Sequence, residues 1–380
     1  MEVLNMNKKW LLLFLLIPAL LLAFWQVGII NHNDDEADND MNGTSSTDIV
    51  SKEYEIEVLA EGLEIPWEIV PLPDGRVIIT ERPGRIVMLG VGEIATIQNV
   101  EHIGEGGLLG MVLSPNFSEN NYVYIYYTYR EGSQIYNRVS RLTLLEETLF
   151  EETVIIDEIP GARVHNGGRI KFGPDDKLYV TTGDAQQPSL SQDLESLAGK
   201  ILRLNEDGSI PEDNPLPDSP IYAYGLRNPQ GLAWQPESGQ LFASDHGPTM
   251  QDEINIITPG ANYGWPIVSC SDWDNEYEYP FICYLDFTLA PSGMDFYKTA
   301  AGETMHSLYV AGLRGNMIMR INIDSQTSSR SQTPILQDWG RLRTVVYHEG
   351  ALYIATNNRD GRGVPSDNND KVLKVTRINE

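Results

Sequence analysis

From Ser51 onward the apolar residues do not recur at helical spacing. They come in short runs rich in Val, Ile, Tyr and Phe, each opened by a Gly, Pro, Asp or Asn turn. β-Branched and aromatic side chains pack well on a pleated surface and turn residues reverse the chain, so this pattern predicts antiparallel strands. Turn and run repeat six times, as PDGRVIITERPGRIVML, SPNFSENNYVYIYYTY, GPDDKLYVTTGDA, QPESGQLFASDHG, GETMHSLYVAGLRGNMIMRINI and HEGALYIATNNRDG. A recurrence of roughly 45–65 residues suits propeller blades better than solenoid coils. One small sheet cannot bury both of its faces alone, so the units close into a ring that covers faces and hides edges. The predicted fold is all-β, a six-bladed β-propeller over residues 51–380, with a strand near Tyr54–Val58 completing the last blade, KVLKVTRI.

The first 50 residues break the pattern. Lys8 and Lys9 precede an apolar stretch from Trp10 to Ala23 that continues weakly to Ile30. Residues 1–30 are therefore expected to be a signal peptide or a membrane anchor. The length of the stretch and the lack of a small-x-small cleavage site favour the anchor, with the lysines inside and the propeller outside. The acidic, polar stretch that follows has nothing to bury and reads as a flexible linker over residues 31–50. The domain is expected to be extracytoplasmic, touching the membrane only through residues 10–30.

Charge narrows the partners. The chain carries 54 acidic against 27 basic residues, a formal net charge of -27. Such a surface repels nucleic acid and anionic lipid, so neither is expected on the folded part. The two cysteines, Cys270 and Cys283, stand in one loop-like region. An oxidising compartment permits a local disulfide between them, and no Cys/His metal spacing is present.

Against this background the unusual residues fall near equivalent strand starts, where a rigid scaffold positions functional loops. His165 stands just before Gly167 and Gly168 in HNGGRIKFGPDDKLYVTTGD. It reads either as a turn histidine or as a titratable group in a functional mouth. Arg227, Arg314, Arg341 and Arg343 would face the same mouth. Any one could be a surface ion-pair partner, but together they suggest a site for a carboxylate-rich or phosphorylated anion. In SDHGPTMQDEINIITPGANYGWP the carbonyls of Gly247 and Pro248, with Asp252, Glu253 and Tyr263 nearby, offer oxygen ligands of the kind calcium takes, although a Gly-Pro turn also stands without a metal.

Several stretches together carry a more specific signal: GLEIPWEIVPLPDGRVIITERPGRI, GEGGLLGMVLSPNF, HNGGRIKFGPDDKLYVTTGD, GLRNPQGLAW, DEINIITPGANYGWP, LAPSGMDFY and RLRTVVYHEGALYIAT. In this order, from about Gly62 to Val375, the chain resembles the soluble glucose dehydrogenase and aldose sugar dehydrogenase family, which uses pyrroloquinoline quinone. The resemblance implies a six-bladed propeller that oxidises the anomeric carbon of an aldose to a lactone, with hydride passing to the quinone and onward to an external acceptor. It implies that His165 is the general base, that Arg227 and Asn228 contact the quinone, and that Arg341 and Arg343 hold its carboxylates. By the same resemblance Gly247 and Pro248 ligate a calcium ion beside the cofactor, Glu253 and Tyr263 belong to a second calcium, and Gly167 and Gly168 keep side chains out of the stacking space. Thr288 fits a cofactor-contacting threonine, Glu105 stands where glutamine is common, and Arg314 stands where the glucose enzymes have lysine. The loop from Cys270 to Tyr284 matches nothing in the family. Two other readings are a calcium-dependent lactonase or esterase, and a non-enzymatic binding propeller, for which Glu105 beside an anionic cofactor is the argument.

Overall fold

A computed structural model describes residues 53–270, 272, 274–297, 305–324 and 329–378. The anchor and linker expected over residues 1–50 lie outside these described residues, and no described helix is long and apolar enough to cross a membrane.

The described chain forms six four-stranded antiparallel sheets. Blades 1 to 6 begin with the innermost strands Pro66–Pro71, Leu108–Leu113, Ile170–Phe172, Pro229–Trp234, Pro291–Tyr297 and Leu342–His348. Second strands such as Leu178–Thr182 and Leu241–Asp245 are buried at every position because neighbouring blades cover both of their faces. The outermost strand of blade 2, Thr148–Pro160, is largely solvated. Each blade interface holds its own apolar cluster. Ile78 packs with Ile125 between blades 1 and 2, for example, and Phe242 packs with Phe296 between blades 4 and 5. The ring closes as the N-terminal pattern predicts, since Tyr54–Ala60 pairs antiparallel with Val372–Arg377 as the outer strand of blade 6.

The axis of the ring is filled. Arg169, 1% exposed, reaches from blade 3 to Glu68 of blade 1 and to Thr344 Oγ1 of the opposite blade 6, while its Nε donates to the Gln230 carbonyl of blade 4 at 2.9 Å. Its guanidinium lies over Trp67, 4.1 Å from the ring centroid. Arg343 Nη1 donates to Gln230 Oε1 at 2.8 Å and to Ser292 Oγ of blade 5 at 3.3 Å. Five of the six blades thus meet in one buried polar knot, which forms the floor beneath the mouth.

Candidate functional site

Two sets of loops meet at one end of the ring: those entering the innermost strands, and those joining second strands to third. His165 belongs to the first set. It adopts a left-handed backbone, φ 63°. The flanking chain is clamped by Asn166, whose side chain bonds the Ala162 N–H and carbonyl and whose own carbonyl accepts the Tyr126 hydroxyl at 2.8 Å. His165 Nδ1 lies 2.7 Å from Asp184 Oδ1, and Asp184 is fully buried at the end of the second strand of the same blade. Its other oxygen accepts Trp265 Nε1 at 2.9 Å, and its N–H donates to the Arg227 carbonyl at 2.8 Å. A carboxylate on Nδ1 fixes the imidazole tautomer with its proton there and leaves Nε2 as the free acceptor.

Gly167 and Gly168 do something other than expected. A Cβ on Gly167 would stand 2.5 Å from the Thr181 carbonyl, and one on Gly168 would stand 2.6 Å from Leu109 Cδ1. Both glycines serve close approach of the His165 loop to its own blade and to blade 2, so the space they clear is not ligand space.

Neither His165 nor Asp184 lines a hollow, but their partners do: Trp265 lines one and Glu105 another. One is a small hollow lined by Arg227, Asp245, His246, Gly247, Pro248, Gln251, Glu253, Tyr263 and Trp265, among others. The other, equally small, is lined by Arg82, Glu105, Gln230, His246, Arg343, Asp360 and Arg362 among others. His246 belongs to both. Burial, with Arg343 and Arg227 beyond it, pushes the His246 imidazole down to about 3 despite the attraction of Glu105, so the ring is neutral.

Of the four arginines expected to form an anion site, Arg227 and Arg343 line the hollows and Arg314 and Arg341 do not. Arg343 is buried deeply enough that its guanidinium is pushed down to about 9, and burial brings Arg82 to about 10. Arg341 is already engaged, by Asp360 through Nε and Nη2 at 3.0 and 2.8 Å and by the Leu313 carbonyl. Arg314 is exposed and lines neither hollow. Thr288, half-buried one residue before Leu289, also lines neither; the Leu289 carbonyl accepts the Arg314 N–H at 3.1 Å. Arg82 and Arg362 complete the cluster, and both escaped the sequence reading.

Glu105 is a paired carboxylate. Burial alone would raise it, but Arg362 at 2.6 Å and the His165 N–H at 3.1 Å bring it down to about 2. Asn228 is 1% exposed and acts inside the wall: its Oδ1 accepts the Gly167 N–H at 3.0 Å and its Nδ2 reaches Glu105 at 3.4 Å.

The first hollow is rich in oxygen. Burial, with Asp245 nearby, raises the Glu253 carboxyl to about 8, and burial raises Asp245 to about 6. Gln251 Oε1 is buried there without a partner. Crowded acceptors beside the Gly247–Pro248 turn are what a hard cation neutralises. Among the described residues no three His, Cys, Asp or Glu side chains form a metal cluster, so such an ion would rest largely on backbone carbonyls. The Tyr263 hydroxyl is committed to blade 4, donating to the Ile256 carbonyl and accepting the Thr258 N–H, and only its carbonyl remains for a cation. The donor chemistry also suits a carboxylated anion: Nε of Arg82, Arg227 and Arg343 and Nε2 of His246 are all buried without partners around the two hollows.

Comparison with known proteins identifies the family. The family model for glucose/sorbosone dehydrogenases matches residues 63–365. The chain is 32% identical to the aldose sugar dehydrogenase YliI of Escherichia coli, over 80% of this chain and 91% of that one. It is 34% identical to quinoprotein glucose dehydrogenase B of Acinetobacter calcoaceticus, over 60% of this chain and 56% of that protein. The PQQ-bound form of the aldose sugar dehydrogenase from Streptomyces coelicolor superposes with a TM-score of 0.78 at 36% identity, covering 86% of this chain and 99% of that one.

Proposed function

The chain belongs to the glucose/sorbosone dehydrogenase family, as a quinoprotein sugar oxidoreductase, and from that premise we propose that it oxidises the anomeric carbon of aldoses to lactones using pyrroloquinoline quinone and calcium. The observation that carries the reading is the His165–Asp184 pair, whose partners Glu105 and Trp265 each line a hollow edged by unpartnered arginine nitrogens. When bound, the quinone supplies the two-electron acceptor, with calcium as a Lewis acid beside it. Nε2 of His165 accepts the proton of the C1 hydroxyl as the C1–H bond breaks with its electron pair, leaving the lactone carbonyl. Asp184 holds the ring in the accepting tautomer and stabilises the imidazolium that forms. Arg82 and Arg343 would bind cofactor carboxylates, and Arg227 would stabilise charge at the hydride-accepting end. Gly247 and Pro248 would hold the ion, with Glu253 and the Tyr263 carbonyl as further oxygen ligands.

Glu105 no longer argues for a binding-only propeller, because Arg362 neutralises it. An extracytoplasmic site of action is part of the same proposal: Cys270 and Cys283 are joined as a disulfide, a bond that persists where the surroundings oxidise. The natural electron acceptor is left open.

Dye-linked oxidation of a panel of aldoses by the purified protein, with and without added quinone and calcium, tests the reading. Turnover that requires both is expected. Lactone hydrolysis without any oxidation would replace it with the lactonase reading.

A further inference from the structure

Arg362 sits on the loop joining the second and third strands of blade 6, with its side chain 56% exposed, and reaches across the mouth to Glu105 on the loop entering blade 2. It is anchored before it reaches. Its N–H donates to Asp360 Oδ1 at 2.9 Å, and Asp360 Oδ2 holds Arg341. The far oxygen of Glu105 accepts the backbone N–H of His165 at 3.1 Å. One carboxylate therefore ties an exposed cation on blade 6 to the backbone of the histidine on blade 3.

We infer that Arg362 is a positioning residue for His165, acting through Glu105 as a latch across the mouth. A non-glycine residue in the left-handed region is strained and persists only where its surroundings over-determine it. Asp184 holds the ring of His165 and Asn166 clamps the residues beside it, but Glu105 grips the amide itself. The grip needs both partners. Without Arg362 the charge on Glu105 would be drawn towards solvent or towards Arg82, which lines the same hollow, whereas Arg362 pins the first oxygen and leaves the second on the amide. Glutamine at position 105 opposite Arg362 would either give up the His165 amide or turn its NH₂ donors against the guanidinium. Glu105 and Arg362 therefore specify each other.

The inference rests on His165 being the base, so its test reads the backbone separately from turnover. Amide hydrogen exchange at His165 is measured in the protein without quinone or sugar. In Arg362→Ala, exchange should quicken by about tenfold, the scale of one lost charge-assisted hydrogen bond. In the loaded enzyme kcat should fall while the aldose KM changes less than about twofold. Arg362→Lys should keep most of the protection. The double change Arg362→Ala with Glu105→Gln should restore it, because a neutral amide, unlike a lone carboxylate, is not drawn away to solvent or to Arg82 and its oxygen still accepts. Salt at about 1 M should loosen the wild-type amide and leave the Arg362→Ala amide unchanged, since the pair is exposed to screening. Unchanged exchange in Arg362→Ala, or a double variant as loose as the single one, would overturn the latch. If His165→Ala kept its turnover while Arg362→Ala loosened the amide, the latch would stand and the base assignment would fall.

Discussion

Asp184 and His165 stand at the two ends of one structural decision: a fully buried carboxylate 2.7 Å from Nδ1 of a ring whose side chain is 17% exposed. Replacing Asp184 with Asn sets an amide that can donate against a nitrogen that also donates, and so favours the wrong tautomer. Asp184→Asn should lower kcat by about 10²–10⁴-fold with little change in aldose KM, measured at saturating quinone. Unchanged kcat would mean that His165 does not act as a base.

Arg343 and Arg314 were equal candidates in the sequence but occupy unlike places. Arg343→Lys keeps the charge and removes the fork, so quinone affinity should fall by roughly tenfold or more. Arg314→Lys, at an exposed position outside both hollows, should change it by less than about threefold. Absorbance titration of quinone into each variant decides the matter, with thermal unfolding as the control for the buried site.

Glu105 is held at about 2 against an ordinary value of 4.5. Between those values the unfolded chain binds a proton that the folded chain does not. The group therefore contributes stability above about pH 4.5 that is lost as pH falls towards 2. Arg362→Ala removes the partner, so the stability gap between wild type and variant should be widest at pH 7 and should close on acidification. Urea unfolding at pH 7, 5 and 3 measures it, and a gap independent of pH would contradict the pairing.

The Cys270–Cys283 bond closes a short loop, with a sequence separation of 13, beside Ser269 of the first hollow. Changing both cysteines to serine should cost about 2–3 kcal/mol in urea unfolding if the loop-closure account holds. Calcium affinity, read by isothermal titration, should weaken as the loop loosens.

Much of the ring was legible because strands advertise themselves locally: a turn, then a β-branched run, six times over. The first set of mouth loops was legible too, since His165, Glu105 and Arg227 precede recognisable strands. What escaped lies on the second set. Arg82, Asp184, His246 and Arg362 follow second strands, and their importance comes from partners that only ring closure supplies, as when Arg362 meets Glu105 across 257 positions of sequence. The glycines at 167 and 168 were seen but misread, because a backbone packed against the Thr181 carbonyl leaves no mark in sequence different from a backbone cleared for a ligand.

The knot of Glu68, Arg169, Gln230 and Thr344 across the axis has a kinetic meaning. With the floor sealed, whatever enters the mouth must leave by it. A sugar on its way out and an oxidant on its way in would compete for a single doorway. The two halves of the catalytic cycle would then take turns, and crowding by either visitor should slow the other.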